Sequence, residues 1–304
     1  MAGPQTLRVA AAQYPIEAVE TLGHWRDKIA RWVAEGAATG AELLLFPEYA
    51  AIEQAHALGP GVYGDLTATL HGVADLAGER VALHCELARR HNVHILVGSG
   101  PLKRADGGYV NAAQLVTPTG SIGEQHKLIL TPFEHDWNMV AGNDICVFET
   151  ALGRLAITIC YDCEFPLLAR AMVANGAEVL LVPQCTERIS GHYRVRTGAV
   201  ARALENQIAT VTSPTIGDAL WSPAVDRNVG AAGIYVPAEH GVSDTGSLAE
   251  GAMNAPGWVT ATIDFARLHR LRTGGEMRNF TDWLQQPGAS NAASAARVSI
   301  IDLR

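Results

Sequence analysis

At 304 residues the chain can bury a substantial core, and its 48% hydrophobic and 18% charged composition is that of a compact α/β protein rather than a disordered or membrane one. A formal net charge of −8, with no Lys/Arg cluster interleaved with aromatics, excludes nucleic acid as a natural partner. Apolar runs such as residues 43–46 and 179–183 are too short to span a bilayer, and residues 1–13 lack the features of a secretory signal, so no membrane segment and a cytoplasmic location are expected.

In chain order, residues 7–14 read as a buried strand. Val19, Leu22, Trp25, Ile29, Trp32 and Val33 then recur at spacings of three and four, predicting a helix that Gly36 and Gly40 end. Residues 43–46 form the next strand, stopped by Pro47. A helix through Val81, Leu83, Leu87 and Ala88 leads to strands at 95–98 and 110–117, and the Pro118-Thr119-Gly120 turn returns the chain towards Lys127. The second half repeats the theme: strand 155–159, helix 167–174, strand 179–182, helix 194–206, strand 208–212. Residues 217–254 are rich in Gly, Ser and Pro, with only 234–236 strand-like, the pattern of a functional loop region. The alternation predicts an α/β layered fold. No linker interrupts it, so residues 1–304 are expected to form a single domain, with a flexible or partner-docked tail from about residue 286.

Five cysteines, Cys85, Cys146, Cys160, Cys163 and Cys185, argue by their odd count against a disulfide framework and for a free thiol. Cys160 closes the apolar run 155–159 and precedes Tyr-Asp-Cys-Glu-Phe-Pro and a helical pattern. Such a strand-to-helix elbow projects a side chain from the sheet edge and aims backbone N–H groups at whatever it attacks. A lone cysteine in an apolar run is ordinarily structural, so Cys160 needs companions. Cys160 and Cys163 also have the spacing of a redox or metal pair, although no second pair completes a tetrahedral site. Glu48 stands at the carboxyl end of a buried strand, where chemistry gathers in α/β sheets. Lys127 lies in Glu-Gln-His-Lys-Leu, and Glu134 follows seven residues later.

Taken together these segments resemble the nitrilase superfamily of carbon–nitrogen hydrolases, from Arg8 to about Trp283. Leu-Leu-Leu-Phe-Pro-Glu-Tyr ending at Tyr49, His-Lys-Leu around Lys127 and Ile-Cys-Tyr-Asp-x-x-Phe-Pro at 159–166 occur in the family's order. Supporting segments include Val182-Pro183 and Ala-Arg-Ala-Leu-Glu-Asn at 201–206. The resemblance implies a four-layer αββα sandwich, commonly dimeric, and a Glu48–Lys127–Cys160 catalytic triad. It implies Glu134 as a second glutamate beside the lysine, and it selects Cys160 over Cys163 as nucleophile.

The implied reaction is hydrolysis of a small-molecule amide through a cysteine thioester, without metal or organic cofactor. Cys160 would attack the carbonyl, with Lys127 and the Tyr161 N–H holding the oxyanion and Glu48 moving protons. Glu134 would orient the substrate nitrogen and keep Lys127 charged. Alternatives are nitrile hydrolysis, acyl transfer to an amine, or a non-catalytic metal or redox role for Cys160 and Cys163. Glu164 and Leu167 depart from the signature, which often has Arg and Glu there. Glu164 would disfavour carboxylate substrates if it faces the pocket, or pair with Arg170 or Arg194 if it faces solvent. His192, Tyr193 and Trp221 are expected in core-packing or surface positions rather than in the site.

Overall fold

Strand β1 (Thr6–Pro15) divides its side chains between two cores: Leu7, Val9 and Ala11 enter one, Ala10, Ala12 and Tyr14 the other. A strand buried on both faces needs a layer on each side, and this requirement organises the rest of the chain. The computed structural model describes residues 4–289 and 296–304.

Thr21 caps helix α1 (Leu22–Ala38), its hydroxyl accepting from the His24 amide. The inward stripe Trp25, Ile29, Trp32 and Val33 is as expected, but the helix continues through Gly36. A Cβ at Gly36 would meet the Trp258 ring at 2.9 Å, so this glycine serves packing rather than termination. Strand β2 (Leu43–Leu45) follows, then the short helices α2 (Gln54–Ala57), α3 (Pro60–Tyr63) and α4 (Leu66–Asp75) and the longer α5 (Ala77–His91). Strands β3 (His94–Lys103), β4 (Tyr109–Val116) and β5 (Ile122–His126) pair antiparallel, and α6 (Pro132–Asp136) begins with a Thr131–Glu134 capping box.

In the second half β6 (Ile145–Thr150) and β7 (Gly153–Ile157) form a hairpin. They lead to α7 (Pro166–Ala174), β8 (Val179–Cys185), α8 (Ile189–Asn206) and β9 (Ala209–Asp218). The irregular region contributes β10 (Arg227–Asn228), β11 (Gly233–Tyr235) and β12 (Ser247–Glu250). The chain continues through β13 (Gly257–Asp264), α9 (Phe265–Gly274), α10 (Asn279–Asp282) and β14 (Val298–Asp302).

Pairing gives one sheet in the order β13-β1-β2-β3-β4-β5 and a second in the order β14-β6-β7-β8-β9-β11-β12. β1 joins them, because Tyr14 and Pro15 pair with Thr215 and Ile216 of β9. Leu43, Leu45, Leu96 and Leu115 of the first sheet share a core with Leu155, Ile157, Leu181 and Val211 of the second. α1 and α5 cover the outer face of the first sheet, and Met172 and Val173 of α7 cover Val147, Ala156 and Leu180 of the second. The fold is the expected four-layer αββα sandwich.

The expected strand at 155–159 ends at Ile157, and the helix expected from Arg194 begins at Ile189. β5, β6, β12, β13, β14 and α9 were not anticipated from the sequence. Of the expected tail, residues 290–295 lie outside the described residues, while Val298–Asp302 pairs in parallel with β6. No helix among the described residues is long and apolar enough to cross a membrane.

Candidate active site

Three chain segments bring ionisable side chains to one place. Glu48 follows β2 and bridges to Ser99 of β3, while its carbonyl accepts from Thr215 Oγ1 at 2.6 Å. This approach depends on Gly98, with φ +89°, where a Cβ would stand 2.2 Å from the Pro47 carbonyl oxygen. Lys127 leaves β5 with its amide donating to the Asn111 carbonyl at 2.8 Å. Cys160 follows β7 at φ 48°, a left-handed conformation unfavourable for a side-chain-bearing residue. The strain turns the chain sharply from strand into a 3₁₀ turn, Cys160–Glu164. Asp162 in that turn accepts from Leu128 N (3.1 Å), Ile129 N (2.8 Å) and Ile159 N (3.2 Å), tying the Lys127 segment to the Cys160 elbow.

Lys127 Nζ donates to Glu48 Oε1 at 2.7 Å and to Glu134 at 2.8 Å from Oε2 and 3.0 Å from Oε1. Asn111 Nδ2 donates to the same Oε1 atoms of Glu48 and Glu134, at 2.9 Å each. Glu134 also accepts from Tyr49 OH (2.7 Å) and from Thr131 N and Oγ1 (2.9 Å each). Its oxygens are thus taken up by protein donors, an arrangement suited to holding Lys127 in place. Glu48 Oε2 accepts from the Cys185 amide at 2.9 Å, and the Cys160 thiol donates to the Cys185 carbonyl at 3.7 Å. Glu48, Lys127 and Glu134 are each 1% exposed and Cys160 is 5% exposed, so their charges interact with little screening by water.

Burial raises Glu48 above the usual carboxylate range, with Lys127 opposing and Glu134 adding to the rise. Burial works against the Lys127 charge, but Glu48 and Glu134 outweigh it and keep the ammonium charged well above its usual range. For Glu134 burial is likewise overcome, by Lys127, Thr131 and Asn111, and its carboxyl lies below the usual range. Burial and then the Glu48 charge push the Cys160 thiol well up, against Lys127. The resting site therefore pairs a protonated thiol with a carboxylate of raised basicity.

A cavity of ≈ 510 Å³ opens over this cluster, and Glu48, Lys127, Glu134, Cys160, Tyr161 and Glu164 all line it. Glu164 combines both expected placements, since it faces the cavity and pairs at 3.4 Å with Arg194, which also lines it. Arg170 instead lies over the Phe280 and Trp283 rings. Cys163 turns away, its thiol towards the Val195 carbonyl beneath α8. His192 is buried, its Nδ1 facing the Ala231 amide at 3.4 Å, Tyr193 is exposed, and Trp221 packs on His56 and Tyr63.

Sequence reasoning missed Tyr49, Asn111, Trp137 and Cys185. Tyr49 and Trp137 pack edge to face at 5.8 Å on the cavity wall. Asn111 offered one signal, a polar residue in a mainly apolar strand, but Gln114 in the same strand offers it too. The irregular region proves to contribute Val225, Asp226 and Asn228 to the lining.

The carbon-nitrogen hydrolase profile matches residues 8–272. A probable hydrolase, YhcX of Bacillus subtilis, is 30% identical over 280 residues, 91% of this chain and 53% of that protein. The chain therefore spans about half the length of that curated relative. A carbon-nitrogen hydrolase from Helicobacter pylori G27 superposes with a TM-score of 0.70 at 20% identity, covering 88% of this chain and 92% of that one. A mutant of the Nesterenkonia sp. AN1 amidase, showing covalent addition of the acetamide moiety of fluoroacetamide at the active site cysteine, gives 0.63 at 24% identity, with coverage of 88% and 94%.

Proposed function

The chain belongs to the carbon-nitrogen hydrolase family, and from that premise we propose that it hydrolyses a small-molecule amide through a thioester on Cys160. The observation that carries this reading is the convergence of Cys160, Glu48 and Lys127 in one buried cleft that opens into a cavity.

In the proposed reaction Glu48 accepts the Cys160 proton as the sulfur attacks the amide carbonyl. The C–O π electrons move onto oxygen, where the Lys127 ammonium and the Tyr161 N–H stabilise the charge. Collapse of this intermediate expels ammonia or an amine, which takes the proton from Glu48, and leaves the Cys160 acyl thioester. Water then gives a proton to Glu48 and attacks the thioester; collapse releases the carboxylic acid and returns the proton to sulfur. Glu134 keeps Lys127 charged and in place. The covalent adduct at the cysteine of the Nesterenkonia amidase supports a cysteine nucleophile here.

Glu164 and Arg194 face the cavity as a pair, which suits neutral amides over substrates carrying a net charge. We take the catalytic unit to be a cytoplasmic homodimer needing no cofactor, acting on small molecules rather than on nucleic acid or a membrane.

The test is ammonia release from short amides, carbamoyl compounds and nitriles, with and without an added amine acceptor. Amides are expected to turn over, and Cys160→Ala to abolish turnover while the circular dichroism spectrum is unchanged. A substrate adduct is expected on Cys160 by peptide mass mapping. Ample activity in Cys160→Ala, or an adduct confined to Cys163 or Cys185, would overturn the reading. Turnover of nitriles alone would replace the amidase assignment with a nitrilase one.

A further inference from the structure

Asn111 is fully buried on β4, between β5, which leads into Lys127, and β3, which bridges to Glu48. Its amide could not be turned over, because Oδ1 would then face two carboxylate oxygens. Nδ2 therefore points to Glu48 Oε1 and Glu134 Oε1, at 2.9 Å each, and both of its N–H bonds are used. Oδ1 accepts no hydrogen bond among the described residues. A buried acceptor without a protein partner is costly, so an apolar residue would fill this site more cheaply unless Nδ2 were needed.

The consequence falls on Glu48. Oε1 accepts from both Lys127 and Asn111, which occupies its two lone-pair directions. Among the described residues, the one backbone donor to Oε2 is the Cys185 amide, and the Cys160 thiol rests against the carbonyl of that same residue. The oxygen with a free lone pair is thus the one on the nucleophile's side.

We propose that Asn111 is a positioning residue for the Glu48 base, barring Oε1 from proton transfer and presenting Oε2 to the Cys160 thiol. The inference rests on Glu48 being the base, as in the proposed reaction. Asn111 does not line the cavity; it acts through Glu48. By donating to the ionised carboxylate it also holds Glu48 below the value it would otherwise reach.

The experiment uses Asn111→Leu and Asn111→Ser in the full chain. The leucine donates nothing, and the serine hydroxyl donates to one carboxylate at most. Asn111→Leu is expected to lower kcat by about 10²-fold with KM within about threefold of the parent. The acid limb of its kcat/KM profile is expected to rise by about one pH unit, with Asn111→Ser in between. The same limb is read without any amide substrate from the pH dependence of Cys160 modification by methyl methanethiosulfonate, mapped by mass. If the parent hydrolyses neither amides nor nitriles, the proposed function fails while the modification profile still decides the role of Asn111. Should Asn111→Leu not fold, Asn111→Ser carries the comparison alone. An unshifted acid limb in a folded variant, or an unchanged kcat in one, would overturn the proposal.

Discussion

Lys127→Met removes a charge shared by two carboxylates while nearly preserving side-chain volume. Lys127 Nζ stands 2.7 Å from Glu48 and 2.8 Å from Glu134, with the side chain 1% exposed. At an effective dielectric of about 20 each contact has a gross attraction of roughly 6 kcal/mol, most of which offsets the desolvation of the three ions. Removing one partner of such a buried set costs about 3–5 kcal/mol, because the remaining charges face each other unscreened. The site responds by keeping a proton. Glu48 takes it, since burial already raises that carboxyl while Glu134 lies below its usual range.

The folded-state pKa of Glu48 is then raised further above its unfolded value, so the native state binds a proton that the unfolded chain has released. Stability therefore falls more steeply with rising pH than in the parent, by at most about 1.4 kcal/mol per pH unit. Guanidinium unfolding near pH 6 and near pH 8 should show the variant losing more stability than the parent across that window. Turnover should drop by about 10³-fold or more, since the base is protonated and the oxyanion loses its cation. Equal pH slopes for the two proteins, or a variant as stable as the parent near pH 8, would refute this account of the cluster.

Asp162→Ala should cost about 3 kcal/mol or more in chemical denaturation, because the Leu128, Ile129 and Ile159 amides lose their acceptor. Burial pushes Asp162 up to about 7, so its contribution to stability falls as pH rises from about 4 through about 7, and that slope should vanish in the variant. Lys28→Met provides a contrast outside the cavity. Lys28 is buried against Glu53, which also accepts from Tyr14 OH at 2.7 Å. Its loss should cost about 3–5 kcal/mol of stability while kcat at a permissive temperature stays unchanged.

The two periodicities made much of the fold legible. Trp25, Ile29 and Trp32 at helical spacing, and runs such as 179–182, mark elements buried on continuous faces. β12 and β13 escaped because Ser247–Glu250 and Gly257–Asp264 are only partly covered along most of their length, so no apolar run announces them. Glu48, Lys127 and Cys160 were legible through their sequence context. Asn111 and Cys185 were not, because each acts through atoms that sequence does not orient: an amide nitrogen aimed across a strand pair, and a backbone N–H and carbonyl at a strand end. Glu164 shows a different limit, since its two expected placements coincide in a residue that lines the cavity while paired with Arg194.

β1 holds a place in both sheets, pairing with β13 along eight positions and with β9 at its last two. At a synthesis rate of roughly 5–20 residues per second, this apolar segment waits about 10–50 s for β9 and β13 to leave the ribosome. β2 and α1 reach it early, but until β9 and β13 arrive its second edge and the face of Leu7, Val9 and Ala11 are open to other chains. Yield in a cell should accordingly respond to chaperone supply and growth temperature more sharply than the stability of the finished protein would suggest.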